Sequence, residues 1–135
     1  MLKTLQTINQ TAAFNRWAGI EVLSASAGEV EIRLAWRPED MGQYAGFLHA
    51  GMIAALLDTA CGYAAATLAG DVLASHFSVN CLAPAIGESF VARGKVIKAG
   101  RKQVFASAEL FASSADAQLK LVATGNGILV PVETA

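Results

Sequence analysis

With 135 residues, 54% of them hydrophobic and only 16% charged, the chain is long enough for one real core and richer in apolar side chains than a typical globular domain. Its formal net charge of -1 gives no electrostatic reason to expect nucleic acid or an anionic membrane as a partner. The apolar excess predicts a single domain over residues 1–135 that has one deeply buried element, buries surface against copies of itself, or both.

In chain order, residues 2–17 are expected to form a helix with Leu2, Leu5, Ile8, Ala12 and Ala13 loosely on one side. This start has no charged leader followed by an apolar core, so no signal peptide is expected and a cytoplasmic location follows. The run "GIEVLSASAGEVEIRLAWRP" predicts a hairpin. Val30, Ile32, Leu34 and Trp36 alternate with Glu31, Arg33, Ala35 and Arg37, "SAGE" supplies the turn, and Pro38 ends the second strand. Residues 38–48 read as loop and 50–69 as a helix stopped by Gly70. Four strand-like runs follow: "SHFSVNCL", "ESFVARGKVIKA", "QVFASAELFAS" and "QLKLVATGNGILV". Their short connecting turns predict an antiparallel meander curving around the long helix, an α+β architecture. Cys61 and Cys81 form no C-x-x-C pair and are expected to be reduced core thiols.

The segment from 44 to 69 is long enough to cross a bilayer. Asp58 near its centre would cost roughly 2.5–3.5 kcal/mol there even on the permissive insertion scale. The run is also built largely of Ala and Gly and contains His49. A buried helix of a soluble domain is the expectation.

Asp58 is then the unusual residue. Its helical neighbours at i±3 and i±4 are Ala54, Ala55, Cys61 and Gly62, none able to pair with a charge. Such a carboxylate either bonds backbone or a distant arginine, or is held out of bulk water as a base or nucleophile. His49 stands just before the helix. There it is either a polar cap or part of a site built from the unpaired N–H groups and positive end of the helix, which suit a developing oxyanion. Ala50 and Gly51 leave room for a carbonyl to approach that backbone. Ala50 and Asp58 are about 12 Å apart along the helix axis. Two helices running antiparallel across a dimer would bring one chain's acid to the other's helix start, giving a composite site.

The pattern "HAGMIAALLDTACGYAA", followed by "SVNCLAPAIGESFVARGKVIKAGRKQVFASAEL", resembles the hotdog-fold acyl-CoA thioesterases of the phenylacetic-acid-pathway type, from about Trp17 to the end. That family's signature is His-Gly-Gly with an Asp or Glu nine residues after the His; here His49 and Asp58 keep the spacing and Ala50 replaces the first Gly. Pro84, Gly87, Gly100 and Arg101 match a second marker, a strand ended by proline and a later basic turn.

The resemblance implies a curved sheet around one central helix and hydrolysis of an acyl-CoA to free acid and coenzyme A, without cofactor or metal. It implies Asp58 as general base or nucleophile, the Ala50 N–H as oxyanion donor, and His49 near the thioester. Ala50 suits that place only with φ below zero. Gln43, fifteen residues before the acid, holds a place often near the water or carbonyl. The assisting Ser or Thr of the family falls on Ala74, with Ser75 adjacent. Gly51 and Ser75 are the implied substrate contacts. Arg101 and Lys102, grouped with Arg93 and Lys95, are either solvated charge or contacts to the coenzyme A phosphates. A homodimer, and a dimer of dimers, is the implied assembly. Two other classes remain open: an acyl-thioester dehydratase or hydratase of the same fold, for which the "GHFP" step is lacking, and a non-catalytic acyl-binding module in which Asp58 is structural.

Overall fold

The computed structural model describes residues 1–133. Ten elements follow in order: α1 Leu2–Thr11, α2 Ala13–Ala18, β1 Glu21–Ser26, β2 Glu29–Ala35, α3 Pro38–Met41, α4 Ala50–Ala69, β3 Val72–Cys81, β4 Ser89–Ala99, β5 Val104–Ser113 and β6 Leu119–Pro131. The strands form one antiparallel sheet in the order β1-β2-β4-β5-β6-β3.

The long helix spans the residues expected, 50–69. Gly70 ends it at φ +74, in the half of backbone space that glycine tolerates, and its N–H bonds the Ala66 carbonyl. Leu56, Leu57, Ala60, Cys61, Ala64 and Ala65 are its most buried side chains. They pack against the inward faces of the strands, where Val104, Ala106, Ala108, Leu110 and Ala112 alternate with outward Phe105, Ser107, Glu109 and Phe111. α4 is also long and apolar enough to cross a membrane by length and composition. Its burial in the sheet makes it the core helix expected.

Close approach of sheet and helix depends on glycine at one point. A Cβ on Gly94 of β4 would lie 2.3 Å from the Ala60 carbonyl oxygen of α4. The helix would have to lift off the strand, so Gly94→Ala is expected to cost about 3 kcal/mol, read as a lower urea midpoint at unchanged m-value.

Three expectations need correction. The helix over 2–17 is two helices, because Ala12 is extended (φ -87, ψ 115) and the chain bends there. The bend lets Asn15 reach back to Asn9, with Nδ2 donating to Oδ1 at 2.9 Å. Residues 38–48 are not all loop: Pro38 opens the short helix α3, where its missing N–H costs nothing. The last four strands are not a simple meander. β4, β5 and β6 are, but β3 lies at the far edge beside β6 because β4's other side is taken by β2, from Glu29↔Lys95 to Ala35↔Ser89.

The two edges of the sheet are treated differently. At the β1 edge, α1 side chains meet the backbone: Gln6 Nε2 donates to the Val22 carbonyl at 3.1 Å, and Asn9 Nδ2 to the Ile20 carbonyl at 2.7 Å. At the β3 edge none of the described residues pairs with the strand's free side. Leu73 (66% exposed) and Phe77 (47%) stand in solvent along it, with Leu82 (56%) just beyond. An open, apolar edge strand of ten residues is a template for pairing with another strand.

Candidate active site

The start of α4 is built by the loop before it. Gln43 closes that loop on itself. Its N–H donates to the Phe47 carbonyl at 2.8 Å, and its Oε1 accepts from the N–H groups of Ala45 (2.5 Å) and Phe47 (3.1 Å). Gly46 makes the turn at φ +88. Two further backbone bonds hold the exit: Leu48 N–H to the Ala85 carbonyl, and His49 N–H to the Met41 carbonyl. The Gln43 Nε2 group has no partner among the described residues, and Gln43 lines the cavity at the helix start, so its amide protons are available there.

His49 is the N-cap. Its Nδ1 accepts from the Gly51 N–H at 2.8 Å, the task usually done by a Ser, Thr, Asp or Asn oxygen. An accepting Nδ1 leaves the ring proton on Nε2. A Cβ on Gly51 would lie 3.0 Å from Nδ1, so glycine there keeps the imidazole in place. The His49 carbonyl takes the N–H groups of Met52 and Ile53. The Ala50 N–H has no acceptor among the described residues and sits at the positive end of a twenty-residue helix. Ala50 is not among the residues with positive φ, so alanine in place of the family's glycine adds no backbone strain.

The helix start opens on a cavity of about 770 Å³ walled by Gln43, Phe47, His49, Ala50, Ile53 and Pro84, among others. Asp58 lines a different cavity, of about 460 Å³, with Tyr63, Ala66, Leu73, Ala74 and α1 residues such as Ile8. The two cavities share no lining residue. Within one chain, therefore, the predicted base and the predicted oxyanion donor are not brought together.

Asp58 is half-buried and has no hydrogen bond or ion pair among the described residues. Burial raises its pKa above the ordinary carboxylate value. One turn on, Cys61 is pushed up to about 12, mainly by burial and further by the charge of Asp58, so its thiol is inert. Cys81 is not the core thiol expected: it is exposed at the end of the edge strand.

Ser75 is the extra residue of a bulge between Ala74 and His76, and its hydroxyl donates to the Ile128 carbonyl at 3.3 Å. It does not line the Asp58 cavity; Ala74 does. Arg101 and Lys102 are exposed in the β4–β5 turn. The register Val104↔Leu129↔Ala74 puts that turn at the end of the sheet where β3 begins, the Asp58 end. Arg93 is engaged elsewhere. It pairs with Glu31 at 2.8 Å and lies over the Phe111 ring on the outer face.

Sequence reading missed a polar network behind the Asp58 cavity. Tyr63 OH donates to Asn9 Oδ1 at 2.8 Å, and Asn15 Nδ2 donates to Tyr63 OH at 2.9 Å. Asn9 is 3% exposed. A signal existed, since Asn9 falls four residues after Leu5 on the apolar side of α1.

Comparisons with known proteins agree with this architecture. A family model of the thioesterase superfamily matches residues 45–116, which include the helix start and Asp58. A Halobacterium salinarum protein described as a candidate esterase is 31% identical over 118 residues, covering 81% of this chain and 78% of that protein. A crystal structure of a thioesterase family protein from Silicibacter pomeroyi superposes with a TM-score of 0.88 at 33% identity, covering 93% of each chain. The E. coli PaaI protein of the phenylacetic acid degradation operon shares the fold, with a TM-score of 0.86 at 19% identity over 98% of this chain and 94% of that one. The curved six-stranded sheet around α4 is the hotdog fold, and the chain belongs to the thioesterase superfamily.

Proposed function

We propose that the protein is an acyl-CoA thioesterase whose working site forms between two copies of the chain. The observation that carries this reading is the separation of the two half-sites along one uncovered strand. Val72 to Ala74, at the start of β3, flank the Asp58 cavity. Cys81, at its end, flanks the helix-start cavity. Antiparallel pairing of β3 with its own copy sets the start of each strand beside the end of the other. Each Asp58 cavity then meets the partner's helix start, and the exposed Leu73 and Phe77 are covered. A further dimer of dimers is proposed through the outer sheet face, where Phe105, Leu119 and Leu121 are exposed.

In that site the thioester carbonyl oxygen accepts from the free Ala50 N–H of one chain, while Asp58 of the other takes a proton from water. The hydroxide adds to the carbonyl carbon, and the charge on oxygen is held at the helix start. The tetrahedral adduct then collapses with loss of the thiolate, which takes the proton from Asp58, leaving acid and coenzyme A. Direct attack by Asp58, followed by hydrolysis of the anhydride, gives the same products. The Gln43 amide supplies a second donor at the cavity that receives the carbonyl. Arg101 and Lys102 are the side chains proposed for the coenzyme A phosphates, and a cytoplasmic location suits that substrate.

A panel of acyl-CoA esters, assayed for free thiol, tests the proposal. Thiol release that disappears in Asp58→Asn supports it. No release from any ester, or full rate in Asp58→Asn, overturns it, and an enoyl absorbance without thiol would point to hydration chemistry instead.

A further inference from the structure

Gly62 sits in the middle of α4, four residues after Asp58, and lines the same cavity. Glycine in a helix interior is destabilising relative to alanine, and a close neighbour that needs the space is one reason to keep it. Gly94 has such a neighbour. Gly62 has none: a Cβ built there would meet no atom within 4 Å. Nothing among the described residues requires this glycine, and the space it leaves belongs to the Asp58 cavity.

The opposite wall of that cavity is α1, through Leu5, Ile8 and Ala12. Several polar groups in the wall are already used. Tyr63 and Asn15 bond each other and Asn9, and the Thr11 hydroxyl donates to the Ile8 carbonyl. Asp58, Thr59 and Asp71 remain as side chains without a hydrogen-bond partner among the described residues. The result is a largely apolar chamber with two carboxylates, Asp58 and Asp71, in its wall, floored by a bare stretch of helix and roofed by the N-terminal helix.

We propose that this chamber takes the apolar acyl group of the substrate, and that Gly62 and α1 together set how bulky that group can be. The inference rests on the thioesterase reading for the identity of the ligand, and it adds which residues limit that ligand's size. A leucine at position 62 would occupy the space beside Asp58 while leaving the helix start untouched. A tryptophan at position 8 would fill it from the α1 side, where Ile8 is already 41% exposed.

The test uses S-decyl-CoA, a thioether that cannot be cleaved, and coenzyme A itself. Each is titrated calorimetrically into wild type, Gly62→Leu and Ile8→Trp, with the oligomeric state of each protein checked by light scattering. Wild type is expected to bind decyl-CoA more tightly than coenzyme A, and both variants to weaken decyl-CoA about tenfold while coenzyme A changes less than about twofold. Gly62→Ala, which only adds helix propensity, is expected to raise Tm by about 2–5 °C. Equal affinity of wild type and both variants for decyl-CoA overturns the inference. So does equal weakening of both ligands, or a Gly62→Leu protein that has become monomeric, since the space would then belong to the second copy. Decyl-CoA binding as expected, with no thiol released from any acyl-CoA ester, sinks the enzymatic proposal and leaves the pocket standing.

Discussion

Asp58→Asn is expected to lower kcat for the best acyl-CoA substrate by about 10²–10⁴-fold, with KM changed little, the loss typical of removing a general base. The wild-type rate should rise with pH as Asp58 ionises. Because burial raises its pKa, the inflection should lie above the ordinary range of an exposed aspartate. The same shift has a stability sign. A carboxyl whose pKa is higher folded than unfolded stabilises the fold below its unfolded pKa, and that contribution is lost as pH rises through the folded value. At neutral pH the ionised Asp58 therefore works against folding, and Asp58→Asn should be a dead but more thermostable protein whose advantage over wild type shrinks in acid. A variant that loses both activity and stability at neutral pH would instead mean that Asp58 holds the structure together.

The second large effect concerns the backbone. Ala50→Pro removes one N–H and little else. The position is the first residue of α4, where proline is well tolerated. The preceding His49 already has φ -61 and ψ 138, the extended conformation that a following proline demands. Since the Ala50 N–H makes no hydrogen bond among the described residues, the fold loses nothing by its removal. The expected result is an unchanged Tm and a kcat lower by about 10²–10³-fold, as for loss of one oxyanion donor. An Ala50→Pro protein with the wild-type rate would remove the helix start from the chemistry.

Much of this was legible in the chain because the decisive signals were local. α4 was readable at both ends since Gly70 can take a positive φ and a lone acid and histidine stand out in an apolar run. The first hairpin was readable from its alternation and from Gly28, which turns at φ +78. The place of β3 was not. The run at 75–82 reads as a strand, but its partner is β6, nearly fifty residues away in sequence, and no local rule encodes that pairing. The bend at Ala12 was hidden for a related reason, since it is stabilised by Asn15 reaching Asn9 and Tyr63 across elements. The proposed base and the proposed oxyanion donor could be named from residue type and spacing. The walls of the acyl chamber could not, because Leu5, Ile8 and Ala66 look the same in a sequence whether they face a core or a cavity. Gly62 read only as a small helical residue until the empty space beside it was visible.

The central claim is that each site draws Asp58 from one chain and the helix start from the other, and subunit mixing tests it most directly. Asp58→Asn and Ala50→Pro chains, carrying different tags, are co-expressed, and the dimer with one of each is isolated. If the site is composite, that dimer holds one site with both defects and one with neither, and should recover about half of the wild-type activity per dimer from two nearly inactive parents. If each chain works alone, every site carries a defect, and a mixed dimer no more active than its parents would contradict the account.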